Sequence, residues 1–339
     1  MDLDGWIKKM PKVELHVHLE GSVQPETLLK LARLHHVQLP ASTVEGLRAW
    51  YAFTNFDHFI EIYMTISGCL RTSEDMELIA REFLAGQAAQ NILYSEVTWT
   101  PLNQYHTSGM GFEEQLAAIN RGRAWAEKEL GVRMGMVIDI PRGVPVAESE
   151  LVADWAIQAR DGGVVAFGLG GPEVGNPPEV YTNAFARTRR AGLPGVPHAG
   201  ETAGPASIWG ALTALQAVRI GHGIHCLEDP ALVAELRARQ VPLEVCPTSN
   251  VCLKEARCIE EHPLPRLLAE GLFVTLGSDD PPMFNTTLTE EYLKLARVFG
   301  LGAEAILALV HNGVKASFLP EAEKQVLFSR IDQSYQADW

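Results

Sequence analysis

Eight short apolar runs, each separated from the next by a helix-like stretch, set the strongest constraint on how this chain can fold. The runs are 12–19, Ile92 to Trp99, Val132 to Ile140, Val164 to Leu169, Gly195 to His198, Ala217 to His222, Val241 to Cys246 and Leu272 to Gly277. Segments around 113–130, 148–160, 179–191, 204–215, 230–239 and 263–270 read as helices ending in Gly or a short loop. Strands that alternate with helices pair in parallel through right-handed crossovers. Eight such units predict an α/β fold, a closed (β/α)8 TIM barrel. A chain of 339 residues could make two domains, but barrels of this size form one, so 1–339 is expected to be a single domain. The longer segment 25–90, with periodic Leu, Ile and Phe, reads as a helical insertion over the barrel mouth. The stretch from about 288 onward reads as a helical tail packed outside.

A barrel of this kind carries its functional residues at the C-terminal ends of its strands. In the first run, Val13-Glu14-Leu15-His16-Val17-His18-Leu19-Glu20-Gly21, strand alternation puts His16 and His18 on one face. Two imidazoles side by side suit a divalent metal such as Zn2+; they could equally be two hydrogen-bonded histidines of a half-buried strand. The fifth strand ends in His198-Ala199-Gly200-Glu201, the sixth in Gly221-His222-Gly223 and the eighth in Ser278-Asp279-Asp280-Pro281. Singly, each has a plain structural reading. Asp-Asp-Pro is a common turn, Gly-His-Gly a loop, and Glu201 suits a helix N-terminus. Together, four strands of eight deliver His or carboxylate to one face, a convergence that chance rarely produces.

Composition narrows the partners. The formal net charge is −14, which argues against nucleic acid or an anionic membrane and favours a small molecule. The five cysteines (Cys69, Cys226, Cys246, Cys252 and Cys258) are odd in number and form no Cys-x-x-Cys pair, so a reducing cytosol is expected rather than a disulfide framework. The start, Met-Asp-Leu-Asp-Gly-Trp, lacks the pattern of a signal peptide, and no apolar run is long enough to span a bilayer. The expected location is cytoplasmic. No stretch specifies an oligomeric state.

The chain resembles the adenosine deaminase family of metal-dependent amidohydrolases over nearly its whole length. The resemblance lies in Pro11 to Ser22, His198-Ala199-Gly200-Glu201, Arg219-Ile220-Gly221-His222-Gly223, Cys246-Pro247-Thr248-Ser249-Asn250-Val251 and Ser278-Asp279-Asp280-Pro281. It implies one Zn2+ per chain held by His16, His18, His198 and Asp279, with room for a water whose pKa falls to about 7. It implies hydrolytic deamination of a 6-aminopurine nucleoside with release of ammonia. Glu201 would give a proton to ring N1, and His222 would orient the attacking water and take part in its proton transfer. Asp280 would accept a hydrogen bond from the ring near N7 or hold the attacking hydroxide. The backbone N–H of Gly171 would reach N3, and Glu20 would lie near the ribose. The end of the fourth strand, Gly168 to Glu173, carries no Lys to bridge a second metal, so one ion is expected. The chain also lacks the Pro-Cys-x-x-Cys of small cytidine deaminases.

Substrate preference has a fainter signature. Thr98-Trp99-Thr100-Pro101, Gly170-Gly171-Pro172-Glu173 and Ile220-Gly221-His222-Gly223 differ from the adenine-specific pattern and favour a nucleoside. Phe167 to Glu173, Val196 to Glu201 and Ser278 to Phe284 resemble the aminodeoxyfutalosine branch, and Glu20 stands where adenosine enzymes carry Asp. The favoured substrate is 6-amino-6-deoxyfutalosine, an intermediate of menaquinone synthesis. The alternative is adenosine, in purine salvage. A purine-binding barrel without chemistry, or hydrolysis of an amide or lactone, is disfavoured by the presence of Glu201, His222 and Asp280. The benzoate of aminodeoxyfutalosine calls for a cation near the mouth, with Arg142 and Arg71 as candidates. Trp99 either stacks on the base or fills the barrel top.

Overall fold

The computed structural model describes residues 2–338. Eight parallel strands follow one another in chain order: β1 (Lys12–His18), β2 (Ile92–Trp99), β3 (Arg133–Pro141), β4 (Val164–Gly170), β5 (Gly195–Ala199), β6 (Ile220–His222), β7 (Leu243–Val245) and β8 (Val274–Leu276). The sheet closes through a single bridge between Val17 and Asp279. There the His18 N–H donates to the Asp279 carbonyl at 2.9 Å and the Asp279 N–H to the His16 carbonyl at 3.1 Å. The expected (β/α)8 barrel is therefore the observed fold, and its closing seam is made by backbone of the residues expected to carry chemistry.

The last three strands are shorter than the apolar runs predict. Ala217, Val241 and Leu272 donate their amides to the carbonyls of Ala211, Leu236 and Leu267, at 3.0, 3.2 and 3.2 Å. These acceptors lie in the helices Pro205–Thr213, Pro230–Arg239 and Leu264–Ala269. The start of each run thus satisfies a helix C-terminus instead of the sheet.

The segment after β1 folds as four helices: Pro25–Leu34, Val44–Trp50, Phe56–Ser67 and Ser73–Ala89. Thr43, Asn55 and Thr72 start the last three by accepting the amides of Gly46, His58 and Asp75. Helix Phe56–Ser67 reaches the barrel mouth, where Phe59 stacks on Phe284 with ring centroids 5.5 Å apart. Helix Ser73–Ala89 is the crossover to β2. The C-terminal helices are Leu288–Phe299, Ala303–Ala316 and Glu321–Asp338. The middle one packs on β8 and β1, so the expected helical tail lies outside the strands and supplies part of the barrel's helical layer. A further helix, Leu3–Lys9, precedes β1 and buries Trp6 and Ile7; the Lys12 ammonium donates to the Ile7 and Met10 carbonyls at its end. No described helix is long and apolar enough to cross a membrane.

The barrel interior beneath the mouth is not purely apolar. Arg219, just before β6, is fully buried between Glu96 of β2 (Nη1 to Oε2, 2.5 Å) and Glu244 of β7 (Nε to Oε1, 2.6 Å). Its guanidinium also lies 4.2 Å over the Phe318 ring. Removing one partner from a buried ion pair leaves uncompensated charge and costs about 3–5 kcal/mol. Arg219→Ala is expected to lose stability of that order in urea unfolding; a loss under about 1 kcal/mol, the scale of a surface pair, would show that the network carries no weight.

Candidate active site

The strand ends converge as expected from their spacing. His16 and His18 stand on β1, His198 on β5, His222 on β6, and Asp279 follows β8. His16, His18, His198 and Asp279 form a buried group whose donor atoms all lie within 4.8 Å of one another. Asp279 Oδ1 is 3.4 Å from His16 Nε2 and 3.3 Å from His18 Nε2, and His18 Nε2 faces His198 Nε2 at 3.2 Å. The other ring nitrogens of two of these histidines are anchored. His16 Nδ1 meets Glu244 Oε2 at 2.9 Å, and His198 Nδ1 meets the Leu169 carbonyl at 3.1 Å.

A cavity of about 340 Å³ opens above this group. Its floor is formed by His18, His198, Glu201, His222, Asp279 and Asp280, and Gly171 lies on its side. Glu201 Oε1 is 3.5 Å from His222 Nε2. Burial pushes the Glu201 carboxyl well above the usual carboxylate range, and the charges of Asp279 and Glu173 push it the same way. Burial and the neighbouring Asp279 do the same to Asp280. Burial drives His222 down to about 4, so it is neutral at pH 7. His222 and Asp279 both have positive φ, 60° and 64°. Side chains avoid that region at a cost of about 1–3 kcal/mol each, so the surrounding hydrogen bonds must hold these two residues.

One expected residue sits elsewhere than the sequence suggests, and one open reading is decided. Glu20 does not line the cavity. It is fully buried behind it, with Oε1 accepting the Thr100 amide at 3.1 Å and Oε2 accepting the Tyr63 hydroxyl at 3.3 Å. Trp99 is also fully buried and stacks outward on Phe112, with centroids 5.6 Å apart, so it fills the barrel wall and is not available to a base. Of the two candidate cations, Arg71 lies off the cavity, donating to the Gly68 and His35 carbonyls. Arg142 lines the cavity, but both terminal nitrogens are committed, to the Asn176 carbonyl at 2.5 Å and the His198 carbonyl at 2.6 Å.

The sequence model described as adenosine deaminase matches residues 11–334. The chain belongs to the adenosine deaminase family. It is 41% identical over 342 residues to an aminodeoxyfutalosine deaminase of Streptomyces avermitilis, covering all of this chain and 94% of that protein. It is 39% identical over 330 residues to an adenine deaminase of Trichlorobacter lovleyi, covering 97% and 94%. The crystal structure of an adenine deaminase from Arthrobacter aurescens superposes with a TM-score of 0.92 at 33% identity, over 96% of this chain and 99% of that one. The protein is a hydrolytic deaminase acting on an aminopurine-type substrate.

The donor set of this deaminase fits a metal ion. His16 Nε2 is buried without a hydrogen-bond partner. Two imidazole nitrogens facing each other at 3.2 Å beside a carboxylate are the arrangement a cation would reconcile. The anchored second nitrogens are what metal-ligating histidines require.

Four supporting residues carry no role in the sequence: Glu173, Arg219 and Glu14 lie in the motifs quoted above, and Glu244 lies only in the seventh apolar run. Glu173 accepts the amides of Gly200, Glu201 and Thr202 at 2.8–2.9 Å and the Ser207 hydroxyl, which fixes the turn carrying Glu201. Glu244 and Arg219 stand behind His16. Glu14 accepts the Ser278 amide at 3.1 Å and its hydroxyl at 2.6 Å, just ahead of Asp279. Strict alternation would put Glu14 on the face of His16 and His18, but the pairing with β2 shifts register between Glu14 and Val17 and turns it aside. Gly21 leaves room for Asp280, since a Cβ there would fall 1.5 Å from Asp280 Oδ1. Gly21→Ala is expected to keep the fold by circular dichroism and to lower kcat/KM about 10²-fold through displacement of Asp280; wild-type activity would show that the placement of Asp280 is immaterial.

Proposed function

We propose that this deaminase hydrolyses the 6-amino group of a purine nucleoside, that its favoured substrate is 6-amino-6-deoxyfutalosine, and that it acts in the cytoplasm in menaquinone synthesis. The observation that supports this choice is the outer wall of the cavity. Beyond the polar floor, Phe56, Phe59, Ile60, Met64, Leu102 and Val144 line the space toward solvent. A free purine base would leave that wall without a partner, whereas a nucleoside extended by an aromatic ring would cover it. The carboxylate of such an extension would sit at the solvent edge, where the exposed His106 stands, since Arg142 is committed to backbone.

His16, His18, His198 and Asp279 would hold one divalent ion, Zn2+ being the best match to an imidazole-rich set. Such an ion supplies Lewis acidity that brings a water's pKa to about 7. The chain's own residues do the rest. Glu201, kept protonated by its surroundings, delivers a proton to ring N1 and makes C6 electrophilic. His222 orients the attacking water toward C6. Purine N7 has a lone pair and no proton, so Asp280, with Oδ1 unpartnered and kept protonated by burial and the neighbouring Asp279, donates to it or holds the attacking oxygen. The Gly171 amide donates to N3; φ of +90° at this glycine turns its backbone toward the cavity without a side chain in the way. The C6–O bond forms and the C6–N bond breaks. One proton of the attacking water ends on the departing amine to give ammonia, and the other, lost as C6–OH becomes C6=O, restores the Glu201 carboxyl.

Side-by-side kcat/KM on adenine, adenosine and 6-amino-6-deoxyfutalosine tests the substrate. Burying the extra ring is worth about 1.5–3 kcal/mol, so aminodeoxyfutalosine should exceed adenosine by roughly 10- to 100-fold. Adenosine in front would move the enzyme to purine salvage, and free adenine in front would show that the outer wall is not a substrate contact. The acid has its own test. Glu201 works only while protonated, so kcat/KM should fall as pH rises through its elevated pKa. Glu201→Gln, which retains a donor but no transferable proton, should lose about 10²–10⁴ in kcat. A variant within threefold of wild type would remove Glu201 from the mechanism.

A further inference from the structure

His222 is the end of a buried chain of hydrogen bonds whose direction can be read from its far end. The Leu264 backbone N–H donates to His262 Nδ1 at 3.1 Å. A backbone amide is only a donor, so His262 Nδ1 carries no proton. Burial pushes His262 down to about 4, so its single proton is on Nε2. His262 Nε2 lies 3.0 Å from Asn250 Oδ1 and donates to it. An amide with its oxygen toward His262 presents its NH2 on the other side, and there Asn250 Nδ2 lies 3.3 Å from His222 Nδ1. Asn250 is fully buried, His262 nearly so, and His222 Nε2 has no partner of its own.

We infer that His262 and Asn250 are positioning residues that lock His222 as the Nε2–H tautomer. His222 therefore presents a hydrogen-bond donor to the cavity and enters the reaction with no lone pair on the nitrogen that faces the substrate. The inference deepens the reading of His222 as the group that orients the attacking water. It narrows that role to donation toward the oxygen that gains negative charge. The physical reason for three residues to be spent on one proton is that an imidazole in its other tautomer is nearly isosteric. Shape alone does not select between them; only a fixed donor at Nδ1 does.

Nitrogen-15 NMR of the zinc-loaded enzyme labelled at histidine reads the tautomer directly, with His222 assigned by the signals lost in His222→Ala. The expected wild-type result is a bare Nδ1 and a protonated Nε2. A protonated Nδ1, an imidazolium or a mixture of tautomers would overturn the inference. Asn250→Asp replaces the donor by an acceptor and should reverse the tautomer. It should lower kcat by about 10²-fold or more, the scale of losing one preorganised donor, with KM within about threefold of wild type. His262→Gln retains the donor to Asn250 and should keep the wild-type tautomer and kcat. His262→Leu frees Asn250 to rotate and should give mixed tautomers with reduced kcat. An unchanged His222 spectrum in both Asn250→Asp and His262→Leu would overturn the inference. If those variants fail to fold, the wild-type spectrum decides alone. The spectrum is read without turnover, so it can fail while the deaminase reading stands, and the reverse.

Discussion

A guanidinium deprived of water must be answered by charge, and Arg219 is answered twice, by Glu96 and Glu244. Glu244 is then half engaged, and its second oxygen takes His16 Nδ1. Burial alone would raise the Glu244 carboxyl, but Arg219 and His16 outweigh it and hold it low. The ionised carboxylate keeps a proton on His16 Nδ1 and leaves Nε2 bare for the metal-capable group. One buried cation inside the barrel thus decides which nitrogen of a strand-end histidine faces the site. Glu173 repeats the device on the other side, where an ionised carboxylate beneath Gly200, Glu201 and Thr202 fixes a turn and raises the proton affinity of the carboxyl above it.

The same economy explains why two strained residues persist. Asp279 has a left-handed backbone at the one place where the barrel has almost no ladder to close it. Its carbonyl and amide both bond to β1, and Glu14 pins the residue before it. Closure and ligand placement are therefore one event, and a barrel that failed to close between β8 and β1 would also lose the carboxylate between His16 and His18. His222, also left-handed, has Asn250 on its ring and the neighbouring Gly223 amide bonded to the Ala199 carbonyl of β5. Strain of about 1–3 kcal/mol per residue is sustained where several contacts over-determine it.

The alternation of apolar runs was enough to read the barrel, because period and order are local and additive along the chain. The residues that converge on the site could be read too, since strand ends on a barrel share a face whatever the details. What could not be read was anything set by a partner distant in sequence. Nothing near Glu20 announces that Thr100 and Tyr63 will take its oxygens and hold it behind the cavity. Nothing near Arg142 announces that backbone carbonyls will use its guanidinium. The lengths of β6, β7 and β8 were overestimated because apolar residues entering a strand look the same whether their amides serve the sheet or the preceding helix. Glu14 was misleading for the opposite reason: its spacing from His16 and His18 is right for a shared face, and a one-residue shift in register removes it.

On the proposed reading, chemistry and preference rest on different parts of the chain. The floor is made by strand ends that are locked to one another by buried charge and by the closing seam. The outer wall comes in large part from helix Phe56–Ser67 together with Leu102 and Val144, and it touches the floor where Tyr63 packs edge-on against His18, while Phe59 stacks on Phe284. On that reading, a change of wall side chains facing the far end of the cavity retunes the substrate, whereas a change of floor ends the reaction for every substrate. Relatives named for a free base and for an extended nucleoside can therefore be about equally similar to this chain. Identity summed over the whole barrel counts every scaffold residue, whereas on the proposed reading preference rests on the few side chains facing the far end of the cavity.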